Sequence, residues 1–387
     1  MRQDSRLELH VRLIATLCFC VMVADYSSSA EIGGSLNCAT ITANRATSGL
    51  YADFATQAGA HLQELCATGA FAGAVLVAHR GQPIFASAYG LADRDLRKAN
   101  SLDTKFRIAS DNKMFTAIAV LQLAAKGKIK LDDTVGIYLP NYPNDEIATQ
   151  VTVRELLNHT GGTGGIWGPE FAANRLQLRT LEDYERLNGK RGPDFAPGSR
   201  FAYSNYGYIL LGLIIEKASA QNYYDYVQQH VFRVAGMTAT GFQPEAILVS
   251  GRATGYSRPP GNITEWHSAS DTLPYRGTPA GGGYSTARDL LRFAVALSNN
   301  SLLSKTWMDI LTNGNVDMDW PGFRYACGFM ETVRNGVRWI GHSGGAPGMN
   351  AEFWLAPETD DVIIVLSNID PPSATAVAQW IVPIVPM

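Results

Sequence analysis

Apolar side chains recur at helical spacing between residues 50 and 67, among mostly good helix formers, and the pattern predicts an amphipathic helix. Two short apolar runs follow, 72–78 and 83–89, joined by His79-Arg80-Gly81-Gln82, which reads as a β-hairpin. The helical period returns over 111–126, with Ser110 at the N-cap position and Gly127 just past the end. Met114, Phe115, Ile118, Ala119, Val120, Leu121 and Leu123 spread round most of that helix, so it is expected in the interior. Short helices and loops continue through the middle of the chain, including 153–158, and a long apolar helix is predicted over 206–218. Beyond Pro279 a Gly-rich loop leads into a helix over 287–297. Strand-like segments then run over 325–333, 337–341, 351–355 and 362–367, and a short helix closes the chain.

Strands near both ends with helices between them imply an α+β fold. An antiparallel sheet lobe, about 45–105 and 275–387, would be flanked by helices and interrupted by a helical lobe, about 106–274. A length of 387 residues suits two such lobes, and the cleft between them is the expected place for a small-molecule site. The formal charge of −3, with no basic run interleaved with aromatics, excludes a field that would draw the chain to nucleic acid or anionic lipid. No fixed-period repeat or heptad pattern appears.

The first thirty residues carry a different signal. Arg2, Arg6 and Arg12 precede an apolar run over 13–23, and Ser28, Ser29 and Ala30 follow, which is the order of a secretory signal peptide. That run falls well short of the ~20 residues needed to span a bilayer, so export without stable membrane insertion is expected. Cleavage near Ala30 would leave Cys38, Cys66 and Cys327. An oxidising compartment permits a Cys38–Cys66 bridge, but spacing alone does not show that their Cβ atoms meet; Cys327 reads as a buried free thiol.

Ser110 and Lys113 are the first candidates for chemistry. Positions i and i+3 share a helix face, so hydroxyl and amine approach each other. A helix N-terminus favours a developing oxyanion, and burial lowers a lysine pKa, so the amine can take the serine proton. Taken alone, the pair reads equally well as an N-cap serine with a surface lysine. Tyr203-Ser204-Asn205 lies directly before the long apolar helix, and His342-Ser343-Gly344-Gly345 leaves the end of a strand.

In this order the three elements resemble the S-x-x-K, Y-x-N and K-T-G or H-x-G motifs of the class C β-lactamases and their relatives. These include low-molecular-weight penicillin-binding proteins, D-amino-acid peptidases and family VIII carboxylesterases. The segments 106–110, 131–133, 153–160, 197–199, 203–212 and 279–290 are similar to family landmarks as well, and the likeness spans roughly 50–370. It implies a β-lactamase/transpeptidase-like fold and a serine hydrolase that needs no cofactor. Ser110 would be the nucleophile, and Lys113 and Tyr203 would share proton transfer. Asn205, His342, Ser343 and Gly344 would contact substrate, with His342 lining the wall opposite Tyr203. The backbone N–H groups of Ser110 and Gly345 would form the oxyanion hole. The substrate classes implied are esters, first of all, then D-amino-acid peptides and β-lactams; a non-catalytic binder would be expected to have lost Ser110, Lys113 or Tyr203.

Two departures qualify the resemblance. Asp111 follows the nucleophile where the family often has an uncharged residue; either it answers the helix dipole, or it faces the cleft and disfavours anionic substrates. His342 replaces a lysine, which removes a permanent positive charge for a substrate carboxylate. Gly341–Gly345 also fits G-x-S-x-G, but His342 is the last histidine in the chain, and an α/β-hydrolase needs its histidine after the serine. No H-x-x-x-H, paired C-x-x-C or EF-hand pattern points to a metal.

The leader yields a first test. Intact-mass analysis of protein from its native host should show a mature chain starting close to Glu31; a chain retaining Met1 would rule out cleavage.

Overall fold

The computed structural model describes Cys38 and residues 40–45, 49–259 and 265–386. The proposed leader lies outside the described residues. Nine antiparallel strands make the main sheet: β1 (Thr40–Arg45), β2 (Gly73–His79), β3 (Gln82–Tyr89), β4 (Val316–Asp317), β5 (Phe323–Tyr325), β6 (Met330–Arg334), β7 (Val337–Ala346), β8 (Met349–Ala356) and β9 (Asp361–Ser367). Their order across the sheet is β1-β3-β2-β9-β8-β7-β6-β5-β4, so the C-terminal strand β9 joins the N-terminal hairpin to the C-terminal meander. The expected sheet built from both ends of the chain is observed, with helices inserted between.

Local chemistry explains the elements that were legible. The β2–β3 hairpin turns at Arg80 and Gly81, both at positive φ (50° and 72°), the two-residue turn whose twist matches the flanking strands. Helix α1 (Gly49–Ala67) occupies the first helical stretch. Helix α2 (Asn112–Ala125) ends before Gly127 at φ 68°, as a C-terminal glycine should. Helix α3 (Asn205–Ser219) is capped by Ser204, whose Oγ accepts from Gly207 N. Helices α4 (Ala287–Ser298) and α5 (Ser373–Ile381) complete the elements that pack on the sheet.

Alternation along the strands separates two apolar layers. Ala74, Leu76 and Ala78 of β2 and Ile364 and Leu366 of β9 face the helices, in one continuous core with Met114, Phe115, Ile118 and Leu121 of α2 and Ile209, Leu210 and Leu213 of α3. Val75, Val77, Ile363 and Val365 face the other way, against Phe54, Ala58 and Leu62 of α1 and Val377 and Ile381 of α5. The inserted helices therefore share their core with the sheet instead of enclosing a separate one. The α2 residues read as spread round the helix are all buried.

Two expectations are corrected, and one element is added. The segment over 325–333 is two strands, broken at Ala326–Phe329. Gly328 sits there at φ 73°, where a Cβ would lie 2.6 Å from Ala117 Cβ, so the chain leaves the sheet to pass α2. The strand over 337–341 continues to Ala346, which places His342 to Gly345 inside β7 rather than beyond its end. The polar stretch before α1, for which no element is predicted above, contributes edge strand β1 paired with β3.

A Cys38–Cys66 disulfide is present, its Cα atoms 5.9 Å apart, and it ties the chain before β1 to the last turn of α1; Cys327 is free and buried. Closing a loop of this length removes unfolded-state entropy worth about 2–4 kcal/mol. Replacing both cysteines with alanine should lower unfolding stability by that amount in denaturant titration; an unchanged midpoint would show that the bridge contributes nothing.

Candidate active site

The short strand Phe106–Arg107, paired with Tyr284–Ser285, leads into a 3-10 turn at Ala109–Asp111. Ser110 therefore lies one residue before the N-cap of α2, which is Asp111. Ala109 is forced to φ 41°, and its carbonyl accepts from Gly282 N at 3.1 Å. Gly344 of β7 passes directly over this turn: a Cβ there would stand 2.7 Å from both Ile108 O and Ser110 N. Nucleophile candidate and β7 are thus held backbone against backbone.

Lys113 points down into the core and is fully buried. Its Nζ lies 3.2 Å from Ser110 Oγ, 2.8 Å from Asn205 Oδ1 and 2.5 Å from Ala280 O. The last two are carbonyl oxygens and can only accept, so Nζ donates to both. The Tyr203 ring centroid is 4.7 Å from Nζ. Burial pushes the Lys113 amine well below its ordinary pKa, and the nearby Asp111 opposes that only in part. Ala280 is presented by a stretch stitched to α2: Asn112 Nδ2 donates to Thr278 O at 3.1 Å, Thr116 Oγ1 to Pro279 O at 2.8 Å, then Lys113 to Ala280 O.

Tyr203 and Asn205 flank the α3 cap, so the same Ser204 that starts the helix aims both toward Lys113. Behind Tyr203 sits His159, buried, its Nδ1 accepting from Ser204 N at 3.1 Å. Its ring lies 4.3 Å from that of Tyr203 and 4.6 Å from that of Tyr325. Burial, with Lys113 and His342 nearby, holds His159 neutral well below its usual range. It is a hydrogen-bonded structural residue.

His342 departs from expectation. It has no exposed surface, so it does not line the open wall of the cleft. Nδ1 lies 2.7 Å from Ser343 O, a carbonyl, and so carries the proton; Nε2 then accepts from Tyr325 Oη at 3.0 Å. Burial first, and Lys113 second, push its pKa down to about 3, so it is neutral throughout the physiological range. The position supplies no charge for a substrate carboxylate. Ser343 is corrected too: it pairs with Glu352 on the opposite sheet face, where its Oγ donates to Glu352 Oε1 at 2.6 Å. Asp111 is fully buried, 4.0 Å from His342 Nδ1, and does not face open solvent.

The structure thus brings together Ser110, Lys113, Tyr203, Asn205 and the backbone of Gly344, with Gly345 the next residue of β7. It turns His342 inward and Ser343 away. The reading of the sequence missed Ala280 O, Tyr325 and the 278–280 stretch as parts of the site. A backbone carbonyl leaves no side-chain signal, and Tyr325 meets His342 only through the register of separate strands. Among the described residues, no group of three or more His, Cys, Asp or Glu is placed to hold a metal ion.

The β-lactamase family model matches residues 58–383 of this chain. Penicillin-binding protein 4* of Bacillus subtilis (strain 168) is 30% identical over 338 residues, covering 80% of this chain and 71% of that one. The crystal structure of a penicillin-binding protein from Bacillus halodurans is similar with a TM-score of 0.75 and 30% identity, over 83% of this chain and 99% of that one. A D-stereospecific amidohydrolase from Streptomyces sp. is similar with a TM-score of 0.70 and 27% identity, over 84% and 97%.

The close approach of Gly344 to the backbone of Ser110 can be tested directly. Gly344→Ala must push β7 off the turn, which should cut kcat/KM about a hundredfold through misplacement of the site and cost about 1–3 kcal/mol in stability. Wild-type kinetics in this variant would show that the close approach is not needed.

Proposed function

The chain belongs to the β-lactamase family of serine hydrolases, and from this membership we propose that it hydrolyses small carboxylic esters through an acyl-enzyme on Ser110. The observation that carries the reading is the set of contacts at Lys113 Nζ. A neutral amine has two N–H bonds and one lone pair. Asn205 Oδ1 and Ala280 O take the two protons, which leaves the lone pair for the hydroxyl of Ser110. Ser110 Oγ attacks the ester carbonyl as its proton passes to Lys113. The resulting oxyanion is met by the N–H groups of Ser110 and Gly345. Collapse breaks the bond to the alcohol, which leaves with the proton relayed through Lys113 and Tyr203. Water then attacks the acyl-enzyme, giving a proton to Tyr203 as Tyr203 passes its own to Lys113; collapse breaks the bond to Ser110 Oγ, which takes a proton back from Lys113, and the carboxylic acid leaves.

The buried, neutral His342 supports an ester over a carboxylate-bearing β-lactam or peptide, because no cation stands in the third motif to meet such a group. Likeness to a D-stereospecific amidohydrolase favours D-amino-acid amides as the second reading. The disulfide supports an exported mature chain, since such bridges persist in oxidising compartments.

Turnover of a short-chain p-nitrophenyl ester, a D-amino-acid amide, a D-Ala-D-Ala peptide and a chromogenic cephalosporin should be measured side by side. The ester should have the highest kcat/KM. Ser110→Ala should remove turnover by at least about a thousandfold, while Ser343→Ala keeps the nucleophile and loses only part of the activity. A fluorophosphonate adduct mapped to Ser343, or a cephalosporin preferred over the ester, would overturn the reading.

A further inference from the structure

Asn350 of β8 is buried, and its side chain joins two elements that meet behind the nucleophile. One end lies on the start of α5. The backbone N–H groups of Ala374 and Thr375 approach one amide atom at 2.7 and 3.0 Å; an N–H only donates, so that atom is Oδ1. Pro372, the N-cap residue of α5, makes no side-chain cap bond, so Asn350 caps the helix from across the sheet. The other end lies on β7, where Nδ2 donates to Gly344 O at 2.8 Å. Thr375 Oγ1 directs its one proton to Glu352 Oε1 at 2.6 Å and so accepts from Asn350 Nδ2 at 3.2 Å. Both N–H bonds and both lone pairs of the amide are used, which fixes its orientation.

We infer that Asn350 is a positioning residue for the oxyanion hole: by holding Gly344 O it aims the N–H of Gly345 at the place where the oxyanion forms. A trans peptide is planar, and its C=O and N–H point in opposite directions. Asn350 stands opposite Gly345, so Gly344 O is drawn to the β8 side and Gly345 N–H leaves on the other. Among the described residues that other edge carries no strand beyond Gly341, because β6 pairs with β7 only from Val337 to Gly341. The turn that carries Ser110 lies there instead: a Cβ on Gly344 would stand 2.7 Å from Ser110 N. The two N–H groups of the oxyanion hole therefore come from backbones in contact, one in the turn before α2 and one on β7. Pro371 covers Gly345 from behind, where a Cβ would lie 2.7 Å from Pro371 Cγ, so the peptide is held from that side as well.

The grip matters when charge develops. An N–H that must swing into place at the transition state loses part of its stabilisation to reorientation, and one fixed beforehand does not. Asn350 touches no reacting atom and acts only through the 344–345 peptide. The inference rests on the reading of Gly345 N–H as an oxyanion donor in ester hydrolysis by Ser110.

The test compares Asn350→Asp, Asn350→Leu and Thr375→Val with wild type on a neutral p-nitrophenyl ester, each checked for folding by thermal melt. Aspartate keeps the acceptor that caps α5 and puts a second oxygen where the donor to Gly344 O was, so it separates grip from cap. It should lower kcat by at least about tenfold and leave KM within about twofold, since an interaction made only in the transition state does not alter ground-state binding. Leucine removes cap and grip together, and the same fall in kcat should come with a lower Tm. Thr375→Val loosens the same face of the sheet but leaves Nδ2 on Gly344 O; it should lower Tm and keep kcat within about twofold. The rate at which a fluorophosphonate labels Ser110 should fall in step with kcat, because its phosphoryl oxygen meets the same two N–H groups. Wild-type kcat in folded Asn350→Asp, a loss carried by KM alone, an equal fall in Thr375→Val, or unchanged labelling beside a lowered kcat would each overturn the inference. If one Asn350 variant does not fold, the other decides. A wild type labelled at Ser110 that turns over no ester would sink the ester reading, and the labelling rates would still decide the role of Asn350.

Discussion

A fully buried primary amine with no ion-pair partner in contact is the constraint round which this molecule is arranged. Moving an ammonium from water into such a place costs several kcal/mol, so Lys113 is held as the neutral amine unless something repays that cost. Its surroundings do not. They offer a hydroxyl and two uncharged carbonyl oxygens, from α2, α3 and the stretch before α4. Each of those elements is fixed by bonds of its own. Ser204 caps α3, and Asn112 and Thr116 grip the carbonyls of Thr278 and Pro279. The amine therefore joins three segments distant in sequence, and its protonation state follows from how they meet.

Strand β7 shows how much chemistry a two-residue period can distribute. His342 and Gly344 face the helices, and Ser343 faces α5. The inward histidine becomes a neutral packing and hydrogen-bonding residue beside Tyr325, and the inward glycine admits the backbone of Ser110. The outward serine helps solvate Glu352. A shift of one residue in the β7–β8 register would exchange these fates, placing a bulky ring against the nucleophile turn. The sheet is thus more than a scaffold: its register selects which of four successive residues touches the site.

Much of the architecture was legible because it is locally encoded. The buried α2 announces itself by apolar residues all round, the hairpin by Arg80-Gly81, and the C-terminal end of α2 by Gly127. The order of Ser110-x-x-Lys113, Tyr203-x-Asn205 and His342-x-Gly344 was enough to name Ser110, Lys113, Tyr203, Asn205 and Gly344, though not Ala280 or Tyr325. Boundaries failed where a distant neighbour decided them, as at Gly328, where passage beside Ala117 ends a strand that composition would continue. Edge strand β1 failed for the converse reason, since a short polar segment carries no apolar period and pairs only because β3 offers an open edge.

What the sequence by itself determined is therefore the set of elements and the cast of the site: helix and strand periods, turn chemistry and motif order depend on neighbours within a few residues. What only the tertiary structure decided is where each group points and which charge state it holds. Cys38 meets Cys66, Ala280 offers its carbonyl to Lys113, His342 is enclosed and neutral, and Asn350 reaches the carbonyl of Gly344. These follow from strand register and helix docking between segments far apart in the sequence, and from the desolvation that docking imposes, neither of which a local pattern contains.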